Sequence, residues 1–224
     1  GQIDLSTVVT PIACNGDLNG AIAVTVNSGG TPAYTFTWSN GQTGTPAMGL
    51  GAGTYTVTVE DANGCTETLQ ETLTDPTLLT LNVVVVDLTC AGDNNGSATA
   101  VTTGGTGTIT YTWSTGATTM AITGQPGGTY AVTVEDANGC QLVEDPVTIT
   151  EPSAIDPAAA SINETCFGDL DGSITTAATG GTGTLTYAWS TGASTTSISG
   201  LAPGNYTLTI TDANLCDTTE TYTI

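Results

Sequence analysis

Apolar side chains fall at every second position along short stretches of the chain: Ile22, Val24 and Val26; Tyr34, Phe36 and Trp38; Tyr55, Val57 and Val59. Threonine fills most of the positions between them. A period of two puts alternate side chains on opposite faces of an extended backbone, so these stretches predict β-strands with one face in a core and one in water. Threonine suits the wet face because it is β-branched and stiff at χ1, yet presents a hydroxyl. Runs rich in Gly, Asn, Asp and Pro break the alternation at 15–20, 29–32, 40–44, 49–53 and 61–64, where turns are expected. No segment carries helical periodicity, and no apolar run approaches the roughly 20 residues of a membrane span.

The pattern occurs three times. Cysteines stand at 14, 65, 90, 140, 166 and 216, a short-long-short rhythm with a period of 75 to 76 residues. Trp38, Trp113 and Trp189 share that period, as do Tyr55, Tyr130 and Tyr206. Three tandem domains are therefore expected at 1–75, 76–151 and 152–224, joined at Asp75-Pro76 and Glu151-Pro152. Strands every 8 to 12 residues in so small a unit, with a Trp on the third strand, predict an all-β fold. The expectation is three tandem immunoglobulin-like antiparallel β-sandwiches of seven short strands each, set in an elongated rod. The three Trp and three Tyr are expected in the cores. Domains of this size bury marginal cores and need staples or neighbours.

Composition narrows the chemistry. The chain holds 21 acidic residues and no Lys, Arg or His. Without cations it has nothing to neutralise phosphates, which argues against nucleic acid and anionic membrane surfaces as partners. A Ser-His-Asp triad, a Cys-His pair, a His-bound metal, a Schiff base and a Lys–Asn isopeptide are all excluded. Hydrophobic content of 38% and the regular alternation distinguish the chain from a disordered acidic tail. It begins at Gly1 with no signal peptide, as a mature or excised segment would.

At Gly30-Thr-Pro-Ala-Tyr-Thr-Phe-Thr-Trp-Ser-Asn-Gly41 and Gly51-Ala-Gly-Thr-Tyr-Thr-Val-Thr-Val-Glu-Asp-Ala-Asn-Gly-Cys65, the sequence resembles the SprB repeat of Bacteroidetes surface adhesins. The match recurs at 105–116 with 127–140 and at 181–192 with 203–216, where Leu215 replaces the Gly before the last Cys. More distantly, the Trp-Ser-x-Gly and Gly-x-Tyr-x-Val elements are similar to PKD domains, also immunoglobulin-like sandwiches. The resemblance implies a large secreted bacterial protein, exported by a type IX route, whose repeats form a stalk or filament at the cell surface. It implies no catalytic residue.

Six cysteines in an exported chain point to disulfides. The spacing fits two pairings. Within each repeat they would be Cys14–Cys65, Cys90–Cys140 and Cys166–Cys216. In an immunoglobulin-like topology, however, Cys14 ends the first strand at one pole while Cys65 sits in a hairpin at the other. A strand of about 6 residues spans roughly 20 Å, whereas a disulfide needs Cα atoms within roughly 7 Å. Stacked repeats would instead bring Cys14 to Cys140 and Cys90 to Cys216. That arrangement leaves Cys65 and Cys166 for neighbouring repeats or identical subunits, assembled head to tail.

After each first cysteine comes Gly-Asp-x-[Asn/Asp]-Gly, with Asp17 and Asn19, Asp93 and Asn95, and Asp169 and Asp171. Alternating oxygen ligands before a Gly are similar to the first half of a calcium loop, and Asp136 and Asp212 could complete such sites from the next repeat. The same residues are also ordinary turn formers. Asp217-Thr218-Thr219 resembles the Bacteroidetes O-glycosylation motif, which makes Thr218 a candidate acceptor. The expected function is a non-enzymatic, extracellular structural segment of a bacterial surface filament or adhesin, with calcium as the one candidate cofactor. An array of carbohydrate-binding modules, reading surface glycans through exposed aromatics, is the alternative.

Overall fold

The computed structural model describes residues 1–224 and contains strands and turns without a helix. The first six strands are β1 (Asp4–Thr10), β2 (Gly20–Ser28), β3 (Thr35–Trp38), β4 (Ala47–Leu50), β5 (Gly53–Glu60) and β6 (Thr66–Leu73). They form two three-stranded antiparallel sheets, β1-β2-β4 and β3-β5-β6. This division of six strands between two sheets, with the Trp-bearing third strand opposite the first two, is an immunoglobulin-like sandwich.

Register follows from the alternation noted in the sequence. Trp38 faces Val57 and Phe36 faces Val59 across β3 and β5. Ile22, Val24, Trp38, Leu50, Val57, Val59 and Leu73 are buried together between the two sheets. Threonines on the outer face pair across strands instead, as in the Thr54–Thr72 hydroxyl contact of 3.0 Å.

The same order repeats twice. β7 (Thr80–Val86), β8 (Gly96–Thr103), β9 (Thr110–Trp113), β10 (Ala121–Gln125), β11 (Gly128–Glu135) and β12 (Gln141–Ile149) form sheets β10-β8-β7 and β12-β11-β9. β13 (Ala159–Ile162), β14 (Gly172–Thr176), β15 (Thr186–Trp189), β16 (Ser197–Leu201), β17 (Asn205–Thr211) and β18 (Asp217–Thr223) form β13-β14-β16 and β15-β17-β18. The fold is all-β and immunoglobulin-like in each copy.

Each copy has six strands where seven were expected. The missing strand would lie between Trp38 and Ala47, but that stretch is spent on a turn. Trp38 N–H bonds Gln42 O, Gly41 N–H bonds Trp38 O, and Gly41 and Gly44 both take positive φ. Only an isolated Thr37–Thr43 bridge remains of any pairing there.

Chain contacts divide the molecule into two compact units. The first comprises 1–82, 100–120 and 132–144, and the second 83–99, 121–131 and 145–224, so strands from 76–151 contribute to both. The first unit holds the β1–β6 sandwich together with the pairing of β9 against β11, in which Trp113 faces Val132. The second holds the β13–β18 sandwich, with Ile174, Trp189, Ile198, Leu201, Leu208 and Ile210 buried in it. β8 pairs with β10 there too, Ala98 facing Ile122.

Candidate functional site

The tryptophans expected in the cores are there: Trp38, Trp113 and Trp189 are 3%, 2% and 4% exposed. Each indole N–H donates at 2.9 Å to a carbonyl six residues later, namely Gly44, Thr119 and Thr195. The rings and their polar edges are both consumed, so none forms the exposed platform a sugar would stack on. The tyrosines differ from expectation. Tyr55, Tyr130 and Tyr206 are half-buried at the core margin, because each hydroxyl reaches out to bond a carbonyl four residues upstream, at Gly51, Pro126 and Ala202. This is the tyrosine corner of immunoglobulin-like folds.

Two kinds of turn carry the cysteines. The first follows β5, β11 and β17 and is built on Asp61, Asp136 and Asp212, all buried. One oxygen of Asp61 accepts the N–H groups of Asn63 (2.9 Å) and Cys65 (2.8 Å), and the other accepts that of Thr31 (2.8 Å). Asp136 takes Asn138, Cys140 and Thr106 in the same way, and Asp212 takes Asn214, Cys216 and Thr182. Backbone N–H groups favour the charged carboxylate. The Cys65 N–H holds Asp61 below the usual Asp range with help from Thr31, and the Cys140 N–H does so for Asp136. At Asp212 burial opposes ionisation most strongly, yet the N–H groups of Thr182, Cys216 and Asn214 outweigh it and the pKa is lowered. In a chain without cations, the backbone supplies the counter-charge.

A glycine packs over each of these aspartates. A Cβ on Gly30 would sit 3.3 Å from Asp61 Cβ and 3.0 Å from Ile3 Cγ1, and Gly181 stands likewise over Asp212 and Ile155, both at positive φ. The Gly-Gly pairs at 29–30, 104–105 and 180–181 are thus fixed by close approach as well as by conformation.

The second kind of turn follows β1, β7 and β13. Asp17, Asp93 and Asp169 donate their N–H to Cys14 O, Cys90 O and Cys166 O. Asn19 Oδ1 accepts the Ala13 N–H at 3.0 Å while its amide donates to Asp17 Oδ2, also at 3.0 Å. Asn95 does the same with Thr89 and Asp93. In the third copy Asp171 accepts both the N–H and the hydroxyl of Thr165, which lowers its pKa, the hydroxyl being the larger cause.

The structure brings the two kinds of turn together. Cys14 is bonded to Cys140 and Cys90 to Cys216, each with Cα atoms 5.6 Å apart. Asn138 Nδ2 donates to Ala13 O (2.9 Å) beside the first bond, and Asn214 Nδ2 to Thr89 O (3.2 Å) beside the second. The linker acids close the other side: Asp75 accepts the Gly16 N–H, and Glu151 the Gly92 N–H. A depression of about 360 Å³ adjoins Cys90–Cys216, lined among others by Ala91, Asp93, Pro152, Ile155 and Asp212. Another of about 260 Å³ adjoins Cys14–Cys140, lined among others by Asn15, Thr77, Leu79 and Asp136. Cys65 and Cys166 are exposed free thiols.

Of the calcium candidates, Asp93 and Asp212 meet at one depression, but their neighbours are the donors just described. No group of three or more Asp, Glu or Cys side chains is gathered as a metal site. Thr218 lies half-buried on β18, opposite Ile210. Sequence reasoning missed the part played by Asp61, Asp136 and Asp212 as turn anchors. The signal was available: Asp-Ala-Asn-x-Cys stands at the same place in all three copies, and an Asp two and four residues before free N–H groups is an Asx-turn former.

Strand order and cross-linked turns together define a tandem immunoglobulin-like repeat protein whose copies are stapled to one another. The SprB repeat family model matches at 6–43, 82–118 and 158–194, half of the chain in three evenly spaced pieces. The chain belongs to the SprB repeat family. No curated protein matches it. Among solved structures it is similar to a Dscam structure described in terms of isoform specificity (11% identity over 97% of this chain and 71% of that one, TM-score 0.28). It is also similar to extracellular domains 3–5 of Drosophila OTK (12%, 98% and 97%, TM-score 0.27) and to Salmonella alpha-2-macroglobulin (9%, 98% and 23%, TM-score 0.25).

Proposed function

We propose that this chain is a non-enzymatic structural segment of a bacterial surface filament or adhesin, exported to an oxidising compartment and acting by carrying load. The observation that carries this reading is the pair of disulfides between successive copies, Cys14–Cys140 and Cys90–Cys216. A covalent bond from each copy to the next serves a chain under tension and serves no catalytic purpose. The aspartates best held as anions, Asp61, Asp136 and Asp212, are spent on backbone N–H groups, and the same arrangement in all three copies gives no copy a distinct acid pair. Buried tryptophans weigh against the carbohydrate-binding alternative.

Membership of the SprB repeat family supports placement at a cell surface. Immunogold labelling of intact producing cells, before and after shaving with a broad-specificity protease, tests it. Surface label that shaving removes is expected; trypsin would not serve, since the chain has no Lys or Arg. Label confined to the cell interior, with the cysteines recovered as thiols, would overturn the reading.

A further inference from the structure

Cys65 and Cys166 are free, and they sit one in each of the two kinds of turn that the disulfides join. Cys166 belongs to the turn type of Cys14 and Cys90, and Cys65 to that of Cys140 and Cys216, and within the chain every bond joins the first type to the second. Both free turns share backbone hydrogen bonds with the bonded ones. Asp61 holds the Cys65 turn through the same three N–H groups, within 0.1 Å, that Asp136 and Asp212 use. Asp169 N–H bonds Cys166 O as Asp17 N–H bonds Cys14 O.

Three differences at these free turns point to the same missing partner. Asn63, the counterpart of Asn138 and Asn214, donates to Thr31 Oγ1 where they donate to Ala13 O and Thr89 O. Phe167 stands where Asn15 and Ala91 line the depressions beside the existing disulfides, and it is 100% exposed. Glu164, where the other copies bury Ile12 and Leu88, accepts the N–H groups of Gly168 and Leu170. It thereby replaces the linker acid, Asp75 or Glu151, that caps the other two turns. The third turn is capped from within its own copy.

We propose that Cys166 of one chain and Cys65 of a second copy form the same disulfide, joining chains head to tail. Asn63 of the second copy then donates to Thr165 O, and Phe167 lies in the depression against Gly1–Ile3 of that copy. The inference rests on the structural reading above and names its partner. The two thiols lose two protons and two electrons to a disulfide-class oxidant, which leaves as two thiols; the bond forms through a mixed disulfide.

The test uses the 224-residue chain with oxidised glutathione as oxidant. A ladder of dimers, trimers and higher species on non-reducing gels is expected, with Cys65–Cys166 the linking peptide after pepsin digestion and mass spectrometry. Cys65→Ser and Cys166→Ser should each abolish the ladder, and a mixture of the two variants should give one dimer and nothing larger. Phe167→Ser should slow dimer formation in that mixture by roughly tenfold, as expected for an apolar side chain buried on docking, while maleimide labels Cys166 at the unchanged rate. Homotypic Cys65–Cys65 or Cys166–Cys166 links in comparable yield, no ladder from thiols that maleimide labels, or indifference to Phe167→Ser would overturn the proposal. None of those outcomes touches the surface labelling, and interior label would not touch the ladder.

Discussion

Pulling the chain by its ends reads the disulfide connectivity directly. With any free thiols capped by iodoacetamide before the chain is pulled, the two bonds create short cuts through an unfolded chain. From Gly1 the load runs to Cys14, crosses to Cys140, returns along the backbone to Cys90, crosses to Cys216 and reaches Ile224. About 71 residues bear tension, so full extension is limited to roughly 250 Å at ~3.5 Å per residue. Reducing either bond first lengthens the path to about 97 residues, roughly 340 Å, and the two orders give the same value. Reducing the second frees the entire chain, roughly 780 Å. A force clamp with a phosphine reductant in solution should therefore show a step of roughly 90 Å and then one of roughly 440 Å, in that order. The oxidised limit alone decides nothing, because pairing each first cysteine with the next in sequence gives nearly the same length. Those pairs would release their loops one at a time, in near-equal steps of about 50 residues. Equal steps would refute the connectivity and, with it, the load path that gives the disulfides their meaning.

Other consequences follow from single sites. Trp189→Phe removes the donor to Thr195 O and leaves a gap among Ile174, Leu208 and Ile210, so guanidinium titration should show a loss of about 2–4 kcal/mol in the third copy; a loss below about 1 kcal/mol would mean the site repacks. Gly96→Ala places a Cβ 2.6 Å from Ile149 Cγ2 and 2.9 Å from Gln125 O, for a cost of about 1–3 kcal/mol. Gly204→Ala, whose nearest neighbour would be 3.9 Å away, should change little in the same melts. Asp61, Asp136 and Asp212 have pKa values below their unfolded value of 3.8. Their contribution is therefore complete above that pH and is lost as pH falls through the lower folded values. Melting temperature against pH should be level down to about pH 4 and fall below it, and Asp136→Asn should shallow that fall; a protein that gains stability on acidification would contradict the sign.

The strands were legible because they depend on neighbours two residues away. Ile22, Val24 and Val26 declare a face without reference to anything distant, and the 75-to-76-residue rhythm of Cys and Trp declares the copies. The seventh strand failed for a local reason too: Gly41 and Gly44 at positive φ consume the residues it needed. What the sequence left undecided depends on where the turns meet in space. The cysteine spacing fits either pairing, and only the poles on which Cys14 and Cys65 lie separate them. Asp136 and Asp212 looked like calcium ligands because their partners are backbone N–H groups, of which Thr106 and Thr182 lie 30 residues upstream. Glu164 in place of a buried Ile or Leu reads as an isolated polar substitution until its two N–H partners are seen.

The charge makes a further demand on any joining of copies. Each chain carries a formal charge of −21 with no side-chain cation to offset it, so two copies approaching end to end repel one another. Steered association between opposite charges slows as salt rises; here the sign is reversed. Screening shortens from about 30 Å at 0.01 M to about 8 Å at 0.15 M, and formation of the Cys65–Cys166 dimer from the two single-serine variants should accelerate over that range. Calcium and magnesium at matched ionic strength should act alike, because the acidic turns gather no set of three carboxylates that would select between them. A rate that falls with salt would show that something other than like charge governs the approach. A rate that responds to calcium alone would show that the turns bind it once two copies meet, and would assign the carboxylates of Asp169 and Asp171 a ligand role.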